Sequence, residues 1–345
     1  MKLYTNKNVK KMNRVYNRSL KRSLFSKNIL TVKKAKRSLL EIVIKFFIKI
    51  VMLVAVPLSL RKNKNKLGEL VGRVYKRFTS RDFVFIPVSF AFYSLVSFIP
   101  IILSVSVALS LIPGEFSTLF NNEILKRIIP GLDSFINSVP QTWNAKTFVL
   151  VITLFLASLF ISSSGFGKFT YSINYIYKHE TTGNYFFNRL KGFFIVIGIA
   201  LFIFISALIY LSIYKLFGVH KASELDKNIY FYIVFSLYLM LNLYVGLSVL
   251  FKISPGFIVP WSSLLPGVLI ASLPTMVFIT IFGYLTSLID YYKFGIFGIF
   301  MYIALLVSIM SYFMYLGIIT NAKTFYKTFY SRYTTPKKIW FRKFY

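Results

Sequence analysis

The sequence predicts an all-α polytopic membrane protein, a bundle of about six transmembrane helices preceded by interfacial amphipathic helices. Three observations carry this expectation. Hydrophobic residues make up 56% of the chain and charged residues only 15%, with a mean hydropathy of +0.65, whereas soluble domains carry about a quarter charged residues. Several uncharged stretches reach the roughly 20 residues needed to cross a bilayer. The charge is also segregated: of 42 Lys and Arg, 23 fall in residues 1–82 and seven in 323–345. A long apolar body lies between two cationic ends.

Residues 1–38 hold 13 basic side chains and no acid, and read as a disordered cytoplasmic tail. No apolar run begins before about residue 39, so the extreme N-terminus does not read as a secretory signal. In 39–60, Glu41, Lys45 and Lys49 recur every four residues on one helical face. The uninterrupted apolar part, Ile50–Leu60, is too short to span a core of about 30 Å, which predicts an interfacial or shallowly re-entrant helix. In 66–82, Leu67, Leu70, Val71, Val74 and Phe78 form one stripe while Arg73, Lys76 and Arg77 face away. That pattern predicts a basic amphipathic helix in the headgroup region, so residues 39–82 form an interfacial section.

The transmembrane domain is expected over 83–322. Its first span is Phe83–Pro113, with Pro87 and Pro100. The second is Thr147–Gly167, continuing past Lys168 to Tyr177. Gly192–Tyr214 and Asn228–Phe251 are the third and fourth. The fifth starts near Ser262 or Leu264 and is expected to kink at Pro274. Phe294–Ala322 is the last.

Six crossings return both ends to one side, and both ends are basic, which places both termini in the cytoplasm. The loop after the second span (Lys178, Arg189 and Lys191 against Glu180) is also net positive and falls inside. The loop at 114–146 falls outside and balances Lys126, Arg127 and Lys146 against Glu115, Glu123 and Asp133. Residues 323–345 form a second basic cytoplasmic tail. Its Trp340, Phe341 and Tyr345 suit a membrane interface better than a single-stranded nucleic acid. The expected partners are therefore membrane lipids, through anionic headgroups at the cytoplasmic face, and no nucleic acid.

The chemistry available to the chain is narrow. It has no Cys and two His, His179 and His220. No His-x-Glu-x-x-His spacing or Gly-rich phosphate loop is present. No cofactor, metal or catalytic residue is expected, and the chain reads as not an enzyme. No Asp or Glu lies mid-span, which disfavours a carrier coupled to protons or sodium through a buried carboxylate. Lys168 is the one candidate intramembrane charge, and snorkelling to the interface is preferred for it over substrate binding.

Hydroxyls and small residues remain. Ser89, Tyr93 and Ser97 recur at i, i+4 and i+8 on the first span, and Ser162, Ser163, Ser164 and Gly165 form a patch on the second. Helix packing is the preferred reading of both. The alternative, with Lys168, is a weakly polar groove for an amphiphile's headgroup.

Several motifs stand in a fixed order along the chain. They are Ala91-Phe92-Tyr93-Ser94-Leu95 through Pro100, Ser163-Ser164-Gly165 with Ser172-Ile173-Asn174, Trp261 with Leu265-Pro266-Gly267-Val268, Phe294-Gly295-Ile296, and Leu316-Gly317 with Asn321-Ala322. In that order the sequence over roughly 66–322 resembles the YihY/BrkB family of bacterial inner-membrane proteins, also labelled ribonuclease BN-like. The resemblance marks Pro100, Asn174, Trp261, Pro266, Gly267, Gly295, Gly317 and Asn321 as family positions. It departs at Ile319, where the family usually carries an acid. The resemblance implies an envelope protein concerned with surface resistance and lipid handling. The expected function is handling or translocation of lipid or another amphiphile. A non-transporting envelope scaffold is the alternative, and a membrane-tethered ribonuclease a third reading with no supporting site.

Overall fold

A computed structural model describes residues 39–55, 64–129, 145–179, 184–287 and 295–325. The chain divides into two compact units, residues 1–47 and 48–345, with the boundary inside the first described helix, α1 (Leu39–Ala55). In the first unit, Lys45 pairs with Glu41 on the opening turns of α1, as their i,i+4 spacing dictates. At 17 residues, α1 is about 25 Å long, short of the roughly 30 Å hydrocarbon core. Residues 56–60 of the expected interfacial helix, residues 1–38 and residues 326–345 lie outside the described residues.

The second unit contains α2 (Lys64–Phe78), α3 (Arg81–Ser110), α4 (Ala145–Ile176), α5 (Tyr185–Leu216), α6 (Glu224–Ile253), α7 (Trp261–Ser287) and α8 (Gly295–Thr324). Among the described residues, five helices (α3, α5, α6, α7 and α8) are long and apolar enough to cross a membrane. The sixth expected span forms the 32-residue helix α4, which runs unbroken past Lys168. The predicted all-α polytopic bundle is the fold observed. α7 likewise passes through both Pro266 and Pro274 without ending. α8 runs on to Thr324, so the first residues assigned to the C-terminal tail complete its last turn.

The long helices pack in chain order from α3 to α8, and α8 returns to α3. Alternation of direction gathers two sets of helix ends. At one end, called here the α2 end, Lys191 at the start of α5 donates to the carbonyls of Ser254 and Pro255 after α6, at 2.8 and 3.0 Å. At the far end, short helical turns over Phe116–Ile128 tuck under the bundle. There Ser106 donates to Asn121 Oδ1 at 3.0 Å, and the Tyr302 hydroxyl donates to the Ile128 carbonyl. Arg127 joins Glu123 at 3.1 Å and Glu224 at 3.7 Å, so Arg127 and Glu123 neutralise each other within this loop.

Two cores fill the bundle. Toward the α2 end, Phe83 and Phe90 of α3, Phe169 of α4 and Tyr315 of α8 meet ring to ring. The buried Tyr315 hydroxyl is satisfied by Ser172 at 2.7 Å. Toward the far end, Ile102, Val105 and Leu109 pack with Phe120, Ile124, Tyr210, Leu211, Ile303 and Val307.

The amphipathic helix α2 has the stripe expected of it, but the stripe meets protein. Leu67, Leu70, Val71 and Val74 are all buried, α2 packs on α8, and Phe78 contacts Phe83 and Tyr312. An apolar stripe looks the same in sequence whether lipid or a neighbouring helix covers it. The cover here is the bundle.

Candidate functional site

α3 and α4 cross where Tyr93 lies over Gly165. A Cβ on Gly165 would overlap the Tyr93 side chain, so the glycine is what allows this approach. One turn on, Lys168 donates to the Tyr93 hydroxyl and its ammonium lies 4.4 Å from the centre of the Tyr93 ring. The Ser164 side chain stands close to the same hydroxyl. Tyr93 and Ser164 are half-buried, while Lys168 and Ser89 are exposed on the outer surface. Among the described residues Lys168 has no carboxylate partner.

The remaining hydroxyls of the expected groove do not join this cluster. Ser97 is buried and donates to the Tyr93 carbonyl at 2.5 Å, bonding back to its own helix. Ser162 and Ser163 are buried, and Ser163 lies on the side of α4 that meets α5. A Cβ on Gly192 would strike the Ser163 carbonyl and the Gly167 amide. That close α4–α5 contact accounts for the small residues at 163 and 167. The packing reading therefore fits Ser97, Ser162 and Ser163, and the open polar cluster consists of Ser89, Tyr93, Ser164 and Lys168.

Lys168 lies eight residues before the end of α4, about 12 Å along the axis. A 32-residue helix is about 48 Å long, about 18 Å more than a roughly 30 Å core. Shared evenly between the two ends, that excess puts Lys168 close to the boundary between hydrocarbon and headgroups. The same face of α4 continues through Tyr171 and Tyr175, both exposed. The sequence reading left out this tyrosine track, although its i, i+3, i+7 spacing from Lys168 could have shown it.

The family positions lie mainly at the α2 end. Asn174 and Asn321 are fully buried. Asn174 Oδ1 accepts the Gly256 amide at 2.9 Å, pinning the loop between α6 and α7. Asn321 Oδ1 accepts the Gly267 amide at 2.7 Å, and its Nδ2 donates to the Leu264 carbonyl at 2.9 Å. Its neighbours Gly267 and Gly317 are in backbone contact, where either Cβ would overlap the other helix's carbonyl oxygen. Pro266 sits beside this crossing inside α7. The Lys252 ammonium lies 5.2 Å from the Trp261 ring centre. Gly295 opens α8, and Pro100, half-buried in α3, accepts Ser104 at its carbonyl at 2.7 Å. The residues that carry the resemblance thus act mainly as helix-packing devices.

His179, the residue a hydrolytic reading would need, stacks on Phe257 with ring centres 4.7 Å apart. Among the described residues no three His, Cys, Asp or Glu side chains group as a metal site would require.

No curated protein and no solved structure matches the chain significantly. The model of one protein family, described as virulence factor BrkB, matches residues 74–338, from the end of α2 to beyond α8. That span takes in the Tyr93–Lys168 cluster and both buried asparagines, and the chain belongs to the BrkB virulence factor family.

Proposed function

We propose that this protein handles lipid or a comparable amphiphile on the outer face of α3 and α4, moving headgroups between leaflets without covalent chemistry. The observation that carries the reading is Lys168, a cation on the outer surface, held against Tyr93 and lacking a carboxylate partner among the described residues. A lysine in that setting is costly unless a polar group meets it, and a lipid phosphate at this depth supplies one. Ser89 and Ser164 add hydroxyls beside it, while Tyr171 and Tyr175 extend the polar face toward the α2 end. The excess of cations at that end supports a cytoplasmic α2 end in a bacterial inner membrane. A scaffold that only binds anionic lipid through its basic tails is the competing reading.

A phospholipid carrying a diazirine in its headgroup tests the site. In proteoliposomes its adducts are expected on peptides containing Tyr93 and Lys168, and Lys168→Gln with Tyr93→Phe removes most of them. Adducts spread evenly over the outer faces of α5 and α6, and unchanged by the substitutions, would reject the site.

A further inference from the structure

Lys168 shares the outer face of α4 with a second cation, Arg189 of α5. The two helices cross where a Cβ on Gly167 would lie 3.2 Å from the Arg189 Cα. Gly167 precedes Lys168 in the chain, so the Cα atoms of Lys168 and Arg189 are no more than about 9 Å apart. The Arg189 guanidinium lies 4.2 Å from the centre of the Phe160 ring on α4. It also reaches the Tyr185 hydroxyl, loosely, at 3.5 Å. Phe160 is 65% exposed and stands eight residues before Lys168, about 12 Å farther from the α2 end. Ser164 falls midway, one turn from each, so Phe160, Ser164 and Lys168 share one face of α4. Lys168 borders that face on the side of α3, through Tyr93, and Arg189 borders it on the side of α5. Among the described residues neither cation has a carboxylate partner.

A cation at the end of a membrane helix ordinarily snorkels away from the hydrocarbon. Arg189 lies instead on an outward-facing ring, and a ring face offsets only part of the cost of a cation at that surface. Two cations rooted side by side also repel each other unless an anion stands between them. A phosphodiester brings one negative charge and leaves one cation unmatched. A phosphate monoester brings close to two at neutral pH, with three acceptor oxygens. The guanidinium fork can take two of those oxygens and the ammonium the third. We infer that Lys168 and Arg189 together select a lipid whose headgroup is a phosphate monoester, seated over Ser164 between Tyr93 and Phe160. The inference rests on reading the α3–α4 face as the lipid site. To that site it adds α5 and the charge of the headgroup.

The test uses the full chain in neutral detergent, with native mass spectrometry counting retained lipid and thermal unfolding read in parallel. The probes are phosphatidic acid, phosphatidylglycerol and glycerol 3-phosphate, which is the same monoester without acyl chains. At about pH 8 the wild type is expected to retain phosphatidic acid at least about tenfold over phosphatidylglycerol, the gain from one further charge-assisted contact. That margin should shrink at about pH 5, where a monoester falls toward one charge and a diester keeps its own. The titratable groups that border the seat among the described residues are Tyr93 of α3, Lys168 and Tyr171 of α4, and Tyr185 and Arg189 of α5. No side chain of those types is an acid of the carboxyl or imidazole range, so the headgroup is what titrates. Arg189→Gln should bring the margin to within about twofold, and Arg189→Lys should keep most of it. Without lipid, Arg189→Gln should unfold close to wild type, because its Phe160 contact lies on the surface. If that variant folds poorly, the wild-type margin at the two pH values decides, and a margin that does not change overturns the inference. An unchanged margin in well-folded Arg189→Gln overturns it too. If Lys168→Gln still lowers retention of both lipids in that case, the α3–α4 site stands and only its selection of headgroup fails. If neither substitution alters retention of any lipid, the α3–α4 site fails as well. Displacement of phosphatidic acid by glycerol 3-phosphate at equal concentration would assign the cation pair to soluble phosphate esters and overturn the lipid.

Discussion

Gly317→Leu is expected to prevent assembly of the bundle or to destabilise it by about 3 kcal/mol or more, at the upper range of overpacking effects. At this position α7 and α8 are separated by no side chain. The added Cβ would overlap the Gly267 carbonyl oxygen, and Ala271 stands behind it. Backbone cannot rotate away as a flexible side chain can, so the two helices must move apart. The wedge would also pull Asn321 from the Gly267 amide one turn on. Gly198→Leu is the control, because a Cβ on Gly198 meets nothing within 4 Å. Size-exclusion profiles and thermal unfolding in detergent should show Gly317→Leu aggregated or strongly destabilised and Gly198→Leu close to wild type. Two similar melting curves would mean that the crossing is not this tight.

Asn321→Leu should be the next most damaging change. Leu keeps the branched heavy-atom skeleton of Asn, so the loss reads chiefly hydrogen bonding. The Gly267 amide and the Leu264 carbonyl, both in the first turns of α7, lose the side chain that bonds them in a fully buried setting. The carbonyl keeps its place in the helical ladder, so the loss is that of one buried partner, about 1–3 kcal/mol. Hydrogen exchange should rise over the first turns of α7, 261–268, before it rises in α4 or α5. Unchanged exchange there would show that the first turns of α7 hold without Asn321.

The order and number of the long helices were legible because an uncharged run of bilayer length has few alternatives. The ordered family motifs were legible too. Their role was not, since Gly267 and Gly317 lie fifty residues apart and only the folded chain brings them together. The hydroxyl stripe was legible in part. Its i, i+4 spacing placed Ser89, Tyr93 and Ser97 near one another, yet helical drift and the α4 contact left Ser89 exposed and Ser97 buried. Periodicity finds a face but does not say which neighbour covers it. The same ambiguity made α2 read as a helix lying in headgroups, when α8 covers its stripe.

Leaflet exchange tests the central claim most directly. Proteoliposomes carrying fluorescent phospholipids of several headgroups are bleached from outside, with wild type compared with Lys168→Gln and Tyr93→Phe at matched protein content. The account predicts exchange above empty liposomes for wild type and a clear fall in both variants. Exchange no faster than in empty liposomes, for every headgroup, would contradict it and leave the scaffold reading in its place.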